Sequence, residues 1–175
     1  MSTALQTISI EEYLDTSYSP DREYIDGEVR ERNVGTWEHS RVQALLAIWF
    51  GQHESQWGVM VSTEWRTRVS GTRVRIPDLV VVRAGRQDSV LQTAPLLFIE
   101  ILSPNDSYSD TERRASDYMV MGATAVWIVD PETSTGRMCQ GDAWVRSSRL
   151  EVPGTPVYVE LDGIFADIDR ARPAE

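Results

Sequence analysis

A chain of 175 residues, 41% hydrophobic and 25% charged, is long enough to bury one core and too short for two full ones. Its single cysteine, Cys139, excludes an intrachain disulfide, and a formal net charge of −10 argues against sequence-blind affinity for nucleic acid, which runs on neutralising phosphates. Residues 1–10 lack a basic stretch leading into an apolar run, and the longest apolar runs, 79–82 and 96–99, are far too short to cross a bilayer, so no membrane association and a cytoplasmic address are expected.

Ser9-Ile10-Glu11-Glu12 reads as a capping box opening a short helix with Tyr13 and Leu14. Residues 17–21 form a turn, and Asp26-Gly27 joins strands 22–25 and 28–32 as a hairpin. Over 37–51 the apolar positions Val42, Leu45, Leu46, Ile48 and Trp49 recur at helical spacing, with Gly51 as the stop. Three strands are expected at 59–69, 74–82 and 96–102; the last two are apolar enough to be covered on both faces. A helix over 110–121 closes at Gly122, and strand 125–129 stops at Asp130-Pro131. Antiparallel strands follow at 137–140, 143–146 and 157–161, with Gly141-Asp142 as a turn. The expected unit is one domain over 1–169 with a loose tail at 170–175. Its fold class is α/β: a mixed sheet with helices on both faces and an αβββαβ core, preceded by the β-hairpin and followed by the antiparallel strands.

Charge is unevenly distributed. Residues 64–86 carry Arg66, Arg68, Arg73, Arg75, Arg83 and Arg86 against only Glu64 and Asp78, so a local basic patch is expected on an acidic body. All 17 basic residues are arginine; no lysine is present, and any mechanism needing one is excluded.

Two carboxylates stand out. Glu100 interrupts the apolar strand Phe98-Ile99-Glu100-Ile101-Leu102, and Asp78 sits in Ile76-Pro77-Asp78-Leu79-Val80. Burial without a partner costs roughly 2–7 kcal/mol even for a neutral polar group, and more for a charge. Each acid alone is explained by a buried ion pair with arginine. Two on neighbouring central strands are a ready site for a hard divalent cation, with the Ile101 carbonyl as a further oxygen. Two histidines and one cysteine make a structural zinc site improbable.

Several segments then share a pattern. They are Ile10-Glu11-Glu12-Tyr13-Leu14, Glu23-Tyr24-Ile25-Asp26-Gly27-Glu28 and His39 at a helix start. Pro77-Asp78-Leu79-Val80-Val81-Val82, Glu100-Ile101-Leu102-Ser103-Pro104, Asp110, Arg114, Tyr118, Gly122 and Trp127-Ile128-Val129-Asp130-Pro131 complete it. Pro-Asp alone is nearly worthless as a signal, but the ordered set resembles the PD-(D/E)xK nuclease superfamily and, within it, the Uma-two family of restriction-endonuclease-like proteins, from about residue 8 to 169. The resemblance implies a restriction-endonuclease-like fold and a metal-dependent phosphodiesterase site on DNA, with Asp78 and Glu100 binding Mg²⁺ or Mn²⁺ and Glu23 completing the acidic cluster. His39 opens the long helix within reach of a phosphate or of the acidic cluster; a lone histidine at a helix start is more often a surface hydrogen-bonding group.

The chain departs from the superfamily where a lysine usually follows the glutamate by two residues: that position is Leu102. Within the narrower family the lysine's counterpart is Arg114, four residues before Tyr118. Arginine can hold a phosphate but cannot act as a base; its plain alternative is a surface salt bridge to Asp110 or Asp117. Tyr118 is expected in core packing, with its hydroxyl near the site at best. The leading expectation is a Mg²⁺-dependent endonuclease-like protein acting as a homodimer, since cutting both strands commonly takes two copies of a one-site domain. The alternatives are a catalytically silent binding or assembly module of the same fold, and a hydrolase of small phosphodiesters.

Overall fold

In the computed structural model, which describes residues 7–33, 35–104, 106–140 and 143–171, the N-terminal segment follows its local signals. Ser9 caps α1 (Ile10–Leu14), its hydroxyl accepting the Glu12 amide at 3.0 Å. Asp26 and Gly27, both at positive φ, turn β1 (Arg22–Ile25) into β2 (Glu28–Glu31), the geometry a two-residue hairpin demands.

Helix α2 (Trp37–Trp57) starts on a Thr36 cap and runs six residues beyond Gly51, the expected stop. An interior glycine costs about 1 kcal/mol relative to alanine. Against that cost, Trp49, His53 and Trp57, spaced at i, i+4, put their rings 4.5 and 4.3 Å apart. Gly58, at φ 65°, ends the helix instead.

The strands expected over 59–69 and 74–82 are each broken in two. Glu64, at φ 51°, divides β3 (Val59–Thr63) from β4 (Thr67–Ser70). Pro77, with no amide proton for a ladder, divides β5 (Arg73–Arg75) from β6 (Leu79–Arg83). Then come β7 (Leu97–Ile101), α3 (Tyr108–Met121, ended by Gly122) and β8 (Ala125–Asp130). The chain continues through β9 (Thr135–Gln140), β10 (Ala143–Ser147), β11 (Arg149–Glu151), β12 (Tyr158–Glu160) and α4 (Leu161–Ala171). The turn expected at 141–142 lies outside the described residues, as do 172–175 of the expected tail.

Strand β11 and helix α4 were not expected. Leu161, Ile164, Phe165 and Ile168 fall at i, i+3, i+4 and i+7 and are all buried, an amphipathic stripe. The tail boundary at 170 therefore falls inside a helix.

The divided strands enter separate sheets. One is antiparallel, in the order β2-β1-β5-β4; the other is mixed and six-stranded, in the order β10-β9-β8-β7-β6-β3, with β11 and β12 as a separate pair. Within the large sheet only β7 and β8 are parallel, joined through α3, so α2, β3, β6, β7, α3 and β8 form the expected αβββαβ core. Side chains alternate across it. Leu79, Val81, Leu97, Ile99, Trp127 and Val129 share a cluster with α2 and α4, while Val80, Val82, Phe98 and Val126 pack against Ala115 and Tyr118 of α3. No helix among the described residues is long and apolar enough to cross a membrane.

Candidate active site

Glu100 occupies the α3-facing series of β7, where its neighbour in that series is Phe98. The antiparallel register of β6 and β7 pairs Leu79 with Ile99 and Val80 with Phe98; one step further places Asp78 opposite Glu100. The Ile101 amide donates to Asp78 Oδ2 at 2.7 Å. Directly opposed residues of an antiparallel pair share a face, and the two acids, 4% and 2% exposed, line one cavity of about 90 Å³. Its walls also include Arg32, His39, Gln43, Ile101, Asp106 and Arg114.

Asp78 is held from several sides. Its Oδ1 accepts from Arg32 Nη2 at 3.2 Å, and His39 Nε2 lies 3.3 Å from Oδ2. Its main-chain carbonyl accepts the Gln43 side-chain amide at 3.0 Å and the Glu64 N–H at 3.4 Å. Burial pushes the His39 imidazolium down, but the hydrogen bond and charge of Asp78 outweigh it, and the net shift is upward.

Glu100 Oε1 accepts from the Tyr118 hydroxyl at 2.5 Å, and Oε2 lies 3.3 Å from Arg114 Nε. Burial pushes the Glu100 carboxyl up to about 7; Arg114 pulls against this, and the Asp78 charge adds to the rise. Glu100 in turn raises the Arg114 guanidinium further above its ordinary range. Arg114 has neither of the surface partners expected for it. Asp110 pairs with Arg113 at 2.9 Å, and Asp117 with Arg73 and Arg75, leaving Arg114 turned inward towards Glu100 and, at 3.6 Å, Asp106.

Glu23 is buried on β1, and its charge adds to the rise at Glu100. It accepts from Arg75 Nη1 at 2.8 Å and the Ile76 amide at 3.1 Å and lines a neighbouring cleft of about 520 Å³. Among the described residues, no three of His, Cys, Asp and Glu are grouped so as to hold a metal ion, so Asp78, Glu100 and Glu23 do not form one three-acid cluster. Half of the arginines of the basic patch expected over 64–86 are closely paired with acids. Arg66 is bound to Asp21 at 2.5 Å, Arg73 to Asp26 and Asp117, and Arg75 to Glu23 and Asp117.

Tyr118 packs in the core as expected, its ring stacked on Phe98 at 4.2 Å, and its hydroxyl reaches the site at Glu100. Arg32, Gln43 and Asp106 were not expected there. His39 and Gln43 are four apart on α2, beside buried Val42 and Leu46; polar groups at that spacing on a buried face were the available signal. Arg32 carries none, since next to a hairpin it looks like any solvated arginine.

The donor set fits a hard divalent cation. Two buried carboxylates offer oxygen, each with lone-pair capacity beyond the bonds described. The raised Glu100 pKa is that of a buried negative charge its neighbours do not fully stabilise.

A mixed sheet flanked by helices, with a buried acidic pair at the end of its central strands, defines a protein of the restriction-endonuclease-like fold. Consistent with that class, the chain superposes with a TM-score of 0.79 on a protein from Anabaena variabilis described as "a putative nuclease belonging to DUF820". The match covers 91% of this chain and 98% of the other at 20% identity, a likeness of fold. The Uma2 family model, described as "Putative restriction endonuclease", matches residues 10–162, and the chain belongs to that family. No curated protein matches it in sequence.

Proposed function

We propose that this protein is a Mg²⁺- or Mn²⁺-dependent endonuclease-like phosphodiesterase acting on DNA as a homodimer. The observation that carries this is the convergence of Asp78 and Glu100 on one cavity. Buried acids cost stability, and pairs with perturbed pKa values concentrate at functional sites. Family membership and the nuclease described among its structural neighbours support the same chemistry.

Asp78 and Glu100, with the Ile101 carbonyl, would hold the cation, which supplies Lewis-acid polarisation of a phosphoryl oxygen and acidifies a water. The chain's own residues do the rest. His39 and the Ile101 amide fix the Asp78 carboxylate, and the Tyr118 hydroxyl fixes Glu100. Arg114 neutralises the charge on the phosphate. It remains protonated at working pH and takes no proton from water, and buried Leu102 cannot do so either. Glu23 supports the site at one remove, anchoring Arg75. Slow turnover is the expected consequence.

Plasmid nicking with Mn²⁺ tests the proposal, with Glu100→Ala as the control for contaminating nuclease. Parent activity lost in Glu100→Ala supports it, and Arg114→Lys should nick faster than the parent. A second reading, a silent module of the same fold, is favoured by one observation: each carboxylate already has a guanidinium beside it, Arg32 on Asp78 and Arg114 on Glu100. Equal inactivity of the parent and Arg114→Lys would select it.

A further inference from the structure

Arg32 lines the site and binds Asp78 but has no part in the chemistry assigned so far, yet it mirrors Arg114. One guanidinium lies against Asp78 and the other against Glu100, at 3.2 and 3.3 Å, and their side chains are 19% and 18% exposed. Both line the small cavity, and both also line the neighbouring cleft of about 520 Å³. They thus stand between the acidic pair and the larger space.

Neither guanidinium is fully engaged. A guanidinium has five N–H donors. Among the described residues Arg32 makes one hydrogen bond, from Nη2 to Asp78, and a looser 3.6 Å contact with exposed Glu64. The Nε of Arg114 is buried without a hydrogen-bond partner, its approach to Glu100 being a charge contact only. Its Nη2 donates to Thr111 at 3.3 Å and lies 3.6 Å from Asp106. Unused donors on two arginines flanking one opening match a tetrahedral oxyanion, which guanidinium binds through paired N–H groups.

Resting on the metal site proposed above, we infer that Arg32 and Arg114 are the two arms of a phosphate-binding subsite, each guanidinium leaving its carboxylate for a phosphodiester oxygen when a divalent cation takes that carboxylate. Cation and phosphodiester then bind cooperatively, and the coupling is reciprocal.

The test uses the full chain, Mn²⁺ and dimethyl phosphate, with free Mn²⁺ counted by its electron paramagnetic resonance signal. Saturating dimethyl phosphate should tighten Mn²⁺ binding by about fivefold or more, the lower end of usual coupling strengths. Arg32→Met should keep Mn²⁺ binding and lose most of that gain. Arg30→Met, which changes a cleft arginine paired with Glu28, should retain it. Mn²⁺ binding that ignores dimethyl phosphate overturns the subsite and leaves the metal site standing, and so does an undiminished gain in Arg32→Met. No Mn²⁺ binding under either condition overturns both. The comparison on the parent protein needs no variant, so it stands even if Arg32→Met fails to fold.

Discussion

Replacing Glu100 by glutamine should make the protein more stable at alkaline pH relative to its parent, and less so in acid. The Glu100 carboxyl is raised from 4.5 to about 7, mainly by burial. Between those two values the folded protein therefore holds a proton that the unfolded chain has released. Folding stability falls as pH rises through that window, and the loss is complete above about 7. Glutamine is isosteric and does not titrate, so the stability of Glu100→Gln minus that of the parent must climb across the same range. At about 1.4 kcal/mol per pKa unit, the climb from pH 5 to pH 8 is on the order of 2–3 kcal/mol. The attraction of Arg114 for the ionised carboxylate is already contained in the value of about 7, and Arg114 itself does not titrate in this range, so it adds no further slope. Urea denaturation at pH 5 and pH 8 with a chelator present gives both stabilities. A gap that stays flat or narrows with rising pH would refute the account of Glu100 as a buried, under-stabilised charge.

Two further outcomes follow from other contacts. His39 has a raised pKa through its bond with Asp78, so its contribution is fully present below about 6.5 and lost as pH rises through its higher folded value. His39→Gln should cost roughly 1.5–3 kcal/mol in mildly acidic urea melts, the range for a charge-assisted hydrogen bond, and distinctly less near pH 9; a pH-independent cost would contradict that ion pair. Gly136 of β9 lies beneath α4 and β11, where an added Cβ would overlap Leu161 Cδ1 and lie 2.9 Å from Leu150 Cδ1. Gly136→Ala should lower stability by about 1–3 kcal/mol through overpacking, and an unchanged urea midpoint would contradict the close packing of α4 on β9.

The site's two acids were legible because a carboxylate inside an apolar strand contradicts its surroundings. Phe98-Ile99-Glu100-Ile101-Leu102 announces that contradiction without any coordinates. The core was legible from the same strands: residues 79–82, 97–101 apart from Glu100, and 125–129 are apolar on both faces, as strands covered by helices must be. Local turn chemistry was less decisive. Gly51 looked like a stop and is not, because aromatic neighbours on either side hold the helix through it. Pro77 was a breaker in plain view, whereas no residue type advertises the left-handed turn at Glu64. Partner choice was the least legible part. Arg114 could equally have joined Asp110 or Asp117 along its helix, and only the tertiary claims of Arg113, Arg73 and Arg75 on those acids leave it for Glu100. Arg32 meets Asp78 across 46 positions of chain, a separation no local pattern encodes.

The division of two strands between two sheets has a mechanical consequence. Asp78 follows the proline at which the chain passes from the small sheet to the large one, and Glu64, whose amide reaches the Asp78 carbonyl, marks the other crossing point. Arg32 comes directly off β2, the outer strand of the small sheet. The acid thus sits at a joint between the sheets while its counter-charge comes off the hairpin. Loosening the hairpin far from the cavity would therefore alter how tightly that acid is covered, without a single change to the residues that line it.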